Sequence, residues 1–162
     1  EITKQDDYVQ DCTIDTDQEI LIPDSYVESI TERLALYSRL DNCENEEELV
    51  AMEEEFRDRF GPIPPQVQDL FMTVRVRKLA VNLGFEKLLL RDSSLKCYFI
   101  NRPDSPYFES DLFKRILDFL QTGTNKARLK QVGRVFLLVA EPMRTMVEVH
   151  DFLKHMHGKV VQ

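Results

Sequence analysis

Cysteine and glycine are both in short supply. The three cysteines, Cys12, Cys43 and Cys97, form an odd set without a close pair. That excludes a disulfide framework and a cysteine-based zinc site, and it fits a reducing, cytoplasmic setting in which each is a small buried apolar side chain. The five glycines stand singly, and Gly61, Gly84 and Gly123 each follow a predicted helix, so no phosphate-cradling loop or dinucleotide fingerprint can be assembled from them. Long apolar runs are absent too. The longest, Val135–Ala140, has six residues, far below the roughly 20 that cross a bilayer. No charged region followed by an apolar stretch and a cleavage site opens the chain, and its first residue is Glu1; a piece of a longer polypeptide is the expectation.

What is present is an ordinary globular balance of 43% apolar and 31% charged residues over 162 positions, enough for one domain with a full core. The net charge of -8 is unevenly placed. Residues 1–60 hold 19 acids and 5 bases, whereas residues 61–162 hold 10 acids and 16 bases. Such asymmetry fits either a surface that meets an oppositely charged partner or a solvated acidic helix face.

Residues 1–22 alternate mildly and read as an extended acidic arm or edge strand. Pro23, Asp24 and Ser25 signal a first helix running to about Leu40, with Val27, Ile30, Leu34 and Tyr37 as its inward stripe. Asn45 and Glu48 form the start signal of a second helix, which buries Leu49, Met52, Phe56 and Phe60 and stops at Gly61 and Pro62. A third helix opens at Pro64 and Pro65, faces inward through Val67, Leu70, Phe71, Val74 and Leu79, and closes at Gly84. The period then changes to two over 85–91 and 95–100, flanking Asp92, Ser93 and Ser94 as in a hairpin. A loop over 101–106, a helix over 110–120 with Gly123 beyond its end, two strands turning at Gly133, and a last helix from about Pro142 complete the chain. That helix buries Met146, Val149, Leu153 and Met156. The outline predicts an α+β fold: a single domain with helices packed on a small antiparallel or mixed sheet, residues 23–162 forming its body.

Catalytic groupings are missing. His150, His155 and His157 lie near the C-terminus, but His150 and His155 point about 140° apart around a helix and do not converge on a metal. The carboxylates Glu53, Glu54, Glu55 and Asp58 crowd onto the second helix. Glu55 and Asp58, three residues apart, share a face turned away from Met52, Phe56 and Phe60 and are expected to point to water, where neither desolvation nor convergent partners tune them for chemistry. A protein-docking patch and a merely solvated face both fit. The bases Arg75, Arg77, Lys78, Lys114, Arg115, Arg128, Lys130 and Arg134 are spread over different elements without interleaved exposed aromatics. Ordinary surface charge accounts for them, the alternative being a small nucleic-acid-binding module that uses the basic second half.

Residues 53–64 read E-E-E-F-R-D-R-F-G-P-I-P, which resembles the E-x-x-D-R-F-G-x-x-P signature of the C-terminal domain of bacterial transcription-repair coupling factor. Upstream, Ile22-Pro23-Asp24-Ser25-Tyr26-Val27 and the segment 33–40 are similar to the entry and first helix of the same domain, although Ser38 stands where a lysine is common. The resemblance covers about 22–84; beyond Gly84 the chain follows the family in its order of elements. It implies a non-catalytic, autoinhibitory regulatory domain, without cofactor or metal of its own, in transcription-coupled nucleotide excision repair. The parent's ATP-hydrolysing DNA translocase motor, with its ATP and Mg²⁺, and its polymerase-binding module have no motifs in this chain. In the family this domain folds back on an N-terminal module that recruits the excision-repair A subunit, UvrA, and covers it until the motor engages stalled RNA polymerase. UvrA, RNA polymerase and DNA are then partners reached through the parent, with no membrane and no small-molecule substrate. By position in the signature, Glu55 and Asp58 resemble the acids that dock on basic side chains of the masked module, while Arg59, Phe60 and Gly61 complete the motif. Phe60 and Gly61 have an architectural reading as well: one buries, the other ends the helix.

Overall fold

Capping side chains decide where the helices begin. The computed structural model describes residues 8–122 and 126–161. After strand β1 (Thr13–Thr16), the Ser29 side chain accepts the Glu32 N–H ahead of α1 (Ile30–Asp41), and Asn45 accepts that of Glu48 ahead of α2 (Glu46–Phe60). Helix α3 (Pro65–Leu83) opens on a proline, which needs no N–H partner in the first turn. The hairpin β2 (Phe85–Arg91) and β3 (Ser94–Phe99) follows, turning through Asp92 and Ser93, both at positive φ. A 3-10 turn (Pro106–Glu109) leads to α4 (Asp111–Gln121), capped by Ser110. Strands β4 (Ala127–Val132) and β5 (Val135–Ala140) come next, then α5 (Met146–Val160), capped by Thr145. Gly123, predicted to end α4, lies outside the described residues.

The five strands form one mixed sheet in the order β1-β2-β3-β5-β4. β1 runs parallel to β2, so part of the acidic opening stretch is an edge strand; the other neighbours are antiparallel. The fold class is α+β, as the sequence predicts.

Internal contacts divide the chain into two units, Gln18–Arg75 and the combination of Glu1–Asp17 with Val76–Gln162, so that the division falls inside α3. Gln18–Arg75 has its own core of Ile22, Val27, Leu36, Leu40, Cys43, Leu49, Met52, Phe56, Ile63, Val67, Phe71 and Val74. Phe56 is fully buried and meets Phe71 and Phe60 edge-on, with ring centroids 5.1 and 5.9 Å away. The second unit buries one side of the sheet, through Leu88, Leu90, Leu95, Cys97, Phe99, Leu138 and Ala140, together with Ile116 of α4 and Met146, Val149, Leu153 and Met156 of α5. Within it Gly84 has φ +91°, and a Cβ there would lie 2.2 Å from the Tyr107 ring. The Tyr107 hydroxyl donates to the Leu83 carbonyl at 2.7 Å. Glycine is required at that position twice over, by conformation and by space. All three cysteines are buried and free.

Several sequence expectations fail in detail, among them the start of α5, which lies at Met146 behind its Thr145 cap rather than near Pro142. Helix α1 starts at Ile30, because residues 23–27 form a turn in which the Tyr26 and Val27 N–H groups donate to the Pro23 carbonyl. Its inward pair is then Leu36 and Leu40, while Ile30 and Leu34, expected inside, are 66% and 63% exposed. In α3, Val76, Ala80 and Leu83 are buried and Leu79 is only half-buried. A helix that contributes to two cores shows no single stripe to read.

Candidate functional site

The carboxylates singled out in the sequence lie on α2, whose entry is set by reciprocal capping: Asn45 accepts the Glu48 N–H at 2.9 Å and Glu48 accepts the Glu44 N–H at 2.7 Å. Three acids in the first turn suit the positive end of the helix. At the other end Gly61, at φ +91°, donates its N–H to the Arg57 carbonyl. The Tyr26 hydroxyl lies 3.1 Å from the Phe56 carbonyl and 2.9 Å from that of Gly61, fastening the turn before α1 to the end of α2. Phe60 is half-buried against the Tyr26 ring at 5.6 Å. Gly61 ends the helix, while Phe60, expected to bury, is only half-buried.

Glu55 is not an acid pointing freely to water. The Arg39 guanidinium of α1 grips both of its oxygens, at 2.8 and 2.7 Å, and Arg59 donates to one of them at 2.9 Å. Arg59 reaches on to Glu32 of α1 and lies 4.7 Å over the Phe60 ring. The chain Glu32, Arg59, Glu55, Arg39 therefore clamps α1 to α2. The hydrogen bonds from Arg39 first, and from Arg59 second, pull the Glu55 carboxyl down from 4.5 to about 2. The correction concerns what faces Glu55: helical spacing gives the side on which it emerges, but not that Arg39, 16 residues away in sequence, meets it there. Arg59 belongs to this clamp rather than acting only through the helix dipole.

Asp58 matches its expectation of exposure. It is exposed and has no ion-pair or hydrogen-bond partner among the described residues. Glu47 and Glu54 are exposed and unpartnered in the same sense. Positions 47, 54 and 58 fall within about 40° around the helix axis, so the three make one outward acidic stripe. Arg75, considered a nucleic-acid contact in the sequence, is instead held by Glu53 at 2.6 Å and by Glu46 at 2.7 Å.

A groove of about 360 Å³ beside the clamp is lined by Arg39, Cys43, Glu48, Met52 and Glu55. Its thiol lies 3.4 Å from the Met52 sulfur, and its carboxylate is bound to arginine. Among the described residues no group of three or more His, Cys, Asp or Glu is placed to hold a metal ion. The arrangement can present charge to a macromolecule; it does not bring an acid, a base and a nucleophile together.

The TRCF domain family model matches residues 16–110, more than half of the chain. A transcription-repair-coupling factor of Rickettsia conorii is 32% identical over 142 residues, 87% of this chain. The chain belongs to the TRCF domain family. The corresponding protein of Escherichia coli strain K12 is 35% identical over 68 residues, 42% of the chain. The chain spans 12% of the length of the Rickettsia conorii relative and 6% of the Escherichia coli one. In fold, this TRCF domain is similar to a crystal structure of the C-terminal domain of transcription-repair coupling factor, with a TM-score of 0.73, 16% identity and 93% of each chain covered. The family match runs beyond Gly84, past the reach of the sequence signature. Among the described residues no helix is long and apolar enough to cross a membrane.

Proposed function

We propose that this TRCF domain is a docking and autoinhibitory module of a transcription-repair coupling factor that carries no chemistry of its own. It covers the N-terminal module through which the parent recruits UvrA, and the parent's ATP-driven translocase releases it on meeting stalled RNA polymerase. The observation that carries this reading is the contrast along α2: Glu55 is committed to the clamp, while Asp58, a few ångströms further along, is exposed and unpartnered. The docking role of the signature pair thus narrows to Asp58, with Glu54 beside it, and Glu55 becomes the residue that holds the platform rigid.

A tethered domain faces its target at an effective concentration of order millimolar, so a contact worth about 5–6 kcal/mol keeps the site mostly covered. Charge-assisted hydrogen bonds at about 1.5–3 kcal/mol each supply a large share and still let go. The test is titration of UvrA against the full-length parent carrying Glu54→Lys with Asp58→Lys. Tighter UvrA binding than wild type and a raised basal ATPase rate are expected, with the melting of this domain unchanged. Equal affinities would discard the masking role.

A further inference from the structure

The bases of the second half, scattered in sequence, are gathered by strand pairing. Register sets Lys87 beside Tyr98, Tyr98 beside Leu137, and Leu137 beside Lys130. The adjacent row runs Leu89, Lys96, Val139, Arg128. Both rows lie on the side of the sheet opposite Leu88, Cys97 and Leu138, since neighbouring residues in a strand face opposite ways; on it Leu137 and Val139 are buried, Leu89, Lys96 and Tyr98 half-buried, and Lys87, Arg91, Arg128 and Lys130 exposed. With strands about 4.8 Å apart, Lys87 and Lys130 are rooted about 14 Å from one another, with the Tyr98 ring between them. Arg91 extends the array, and a groove of about 330 Å³ runs between Arg91, Ser94, Lys96, Arg128 and Lys130.

We infer that this basic side of the sheet binds single-stranded nucleic acid through its phosphates, with a base stacked on Tyr98. Asp15 and Glu141 engage Arg91 at 2.9 Å and Arg128 at 3.2 Å, and Asp92 lies at the rim. The lysines are left without acids: Lys96 and Lys130 have no ion-pair partner among the described residues, and the Lys87 ammonium lies 5.6 Å from the Tyr98 centroid. Ser94 Oγ, on the groove, is buried without a hydrogen-bond partner and is free to serve an incoming anion. An acidic peptide would satisfy the lysines but has no use for the ring between them, whereas a nucleotide strand presents phosphates on either side of a base, as the first row sets Lys87 and Lys130 on either side of Tyr98. Stacking on a sheet-borne ring needs an unstacked base, which favours a single strand over a duplex.

The experiment is fluorescence anisotropy of a labelled oligo(dT) of about 15 nucleotides titrated with the whole chain at about 50 and 200 mM salt. Binding that weakens about 20-fold over that range, as about three phosphate contacts imply, is expected. Lys96→Glu with Lys130→Glu should lower affinity at least about tenfold and flatten the salt slope. Tyr98→Ala should lower it about tenfold while leaving the slope unchanged, a split that a merely destabilised sheet would not produce. Absence of salt-dependent binding, variants that bind like the wild type, a duplex that binds more tightly, or labelled polyglutamate that binds as tightly would each overturn the inference. None of these outcomes bears on the UvrA titration, which reads Glu54 and Asp58.

Discussion

The two units use positive charge differently. Gln18–Arg75 holds 14 acids and 5 bases, and all five bases are arginines. Four of them, Arg39, Arg57, Arg59 and Arg75, reach carboxylates of the same unit, and Arg33 donates to the carbonyls of Val27 and Glu28. On the basic side of the sheet Arg91 and Arg128 are again engaged by carboxylates, whereas Lys96 and Lys130 are not and Lys87 meets only the Tyr98 ring. The guanidinium is a planar fork that matches a carboxylate or two carbonyls, while an ammonium is a strongly hydrated point charge that gives up little by waiting for a partner. In Gln18–Arg75 and on this side of the sheet, arginine is therefore the fastening, and Lys96 and Lys130 are the free charge.

The largest break in that contrast comes from removing the ground beneath the arginines. Phe56→Ala should cost about 3–5 kcal/mol in urea unfolding and strip hydrogen-exchange protection from α1 and α2, because it empties the centre of the aromatic cluster. Gly61→Ala should cost about 1–3 kcal/mol in the same measurement, since its φ of +91° is strained for any residue with a Cβ. Arg39→Lys sharpens the comparison. It keeps the charge and loses the fork, and a loss below about 1 kcal/mol is expected for so exposed a pair.

The smallest effect is a pH dependence. Arg39 and Arg59 hold the Glu55 carboxyl at about 2, below its ordinary 4.5. Its contribution is therefore present in full above about pH 4.5 and is lost as the pH falls toward 2. Wild type should lose stability against Glu55→Gln across that window and run parallel to it above pH 5, as read from paired acid-melting curves.

The sequence made helix α2 legible because its signals are local and agree: a capping asparagine, acids in the first turn, a Gly-Pro stop and one clean stripe. Helix α1 is less legible because Pro23–Ser25 give a start signal ahead of the actual cap, Ser29, and tertiary packing buries Leu36 and Leu40 rather than Ile30 and Leu34. The exposure of Asp58 follows from helical spacing alone. The capture of Glu55 by Arg39 does not, since a contact between neighbouring helices leaves no mark on either one. The basic array was hidden for a related reason: Lys87, Lys96 and Tyr98 alternate with buried leucines and a cysteine, and only the register of three strand pairs places them beside Lys130 and Arg128.

Tyr107 occupies the volume that any side chain at position 84 would need, and its hydroxyl closes the carbonyl just before it. The two positions thus share one space. Shrinking 107 would clear the space but not the φ of +91°, which still reserves position 84 for glycine, and it would leave the Leu83 carbonyl unanswered. Tolerance is therefore one-sided: a smaller residue at 107 costs packing, whereas no change at 107 admits a side chain at 84.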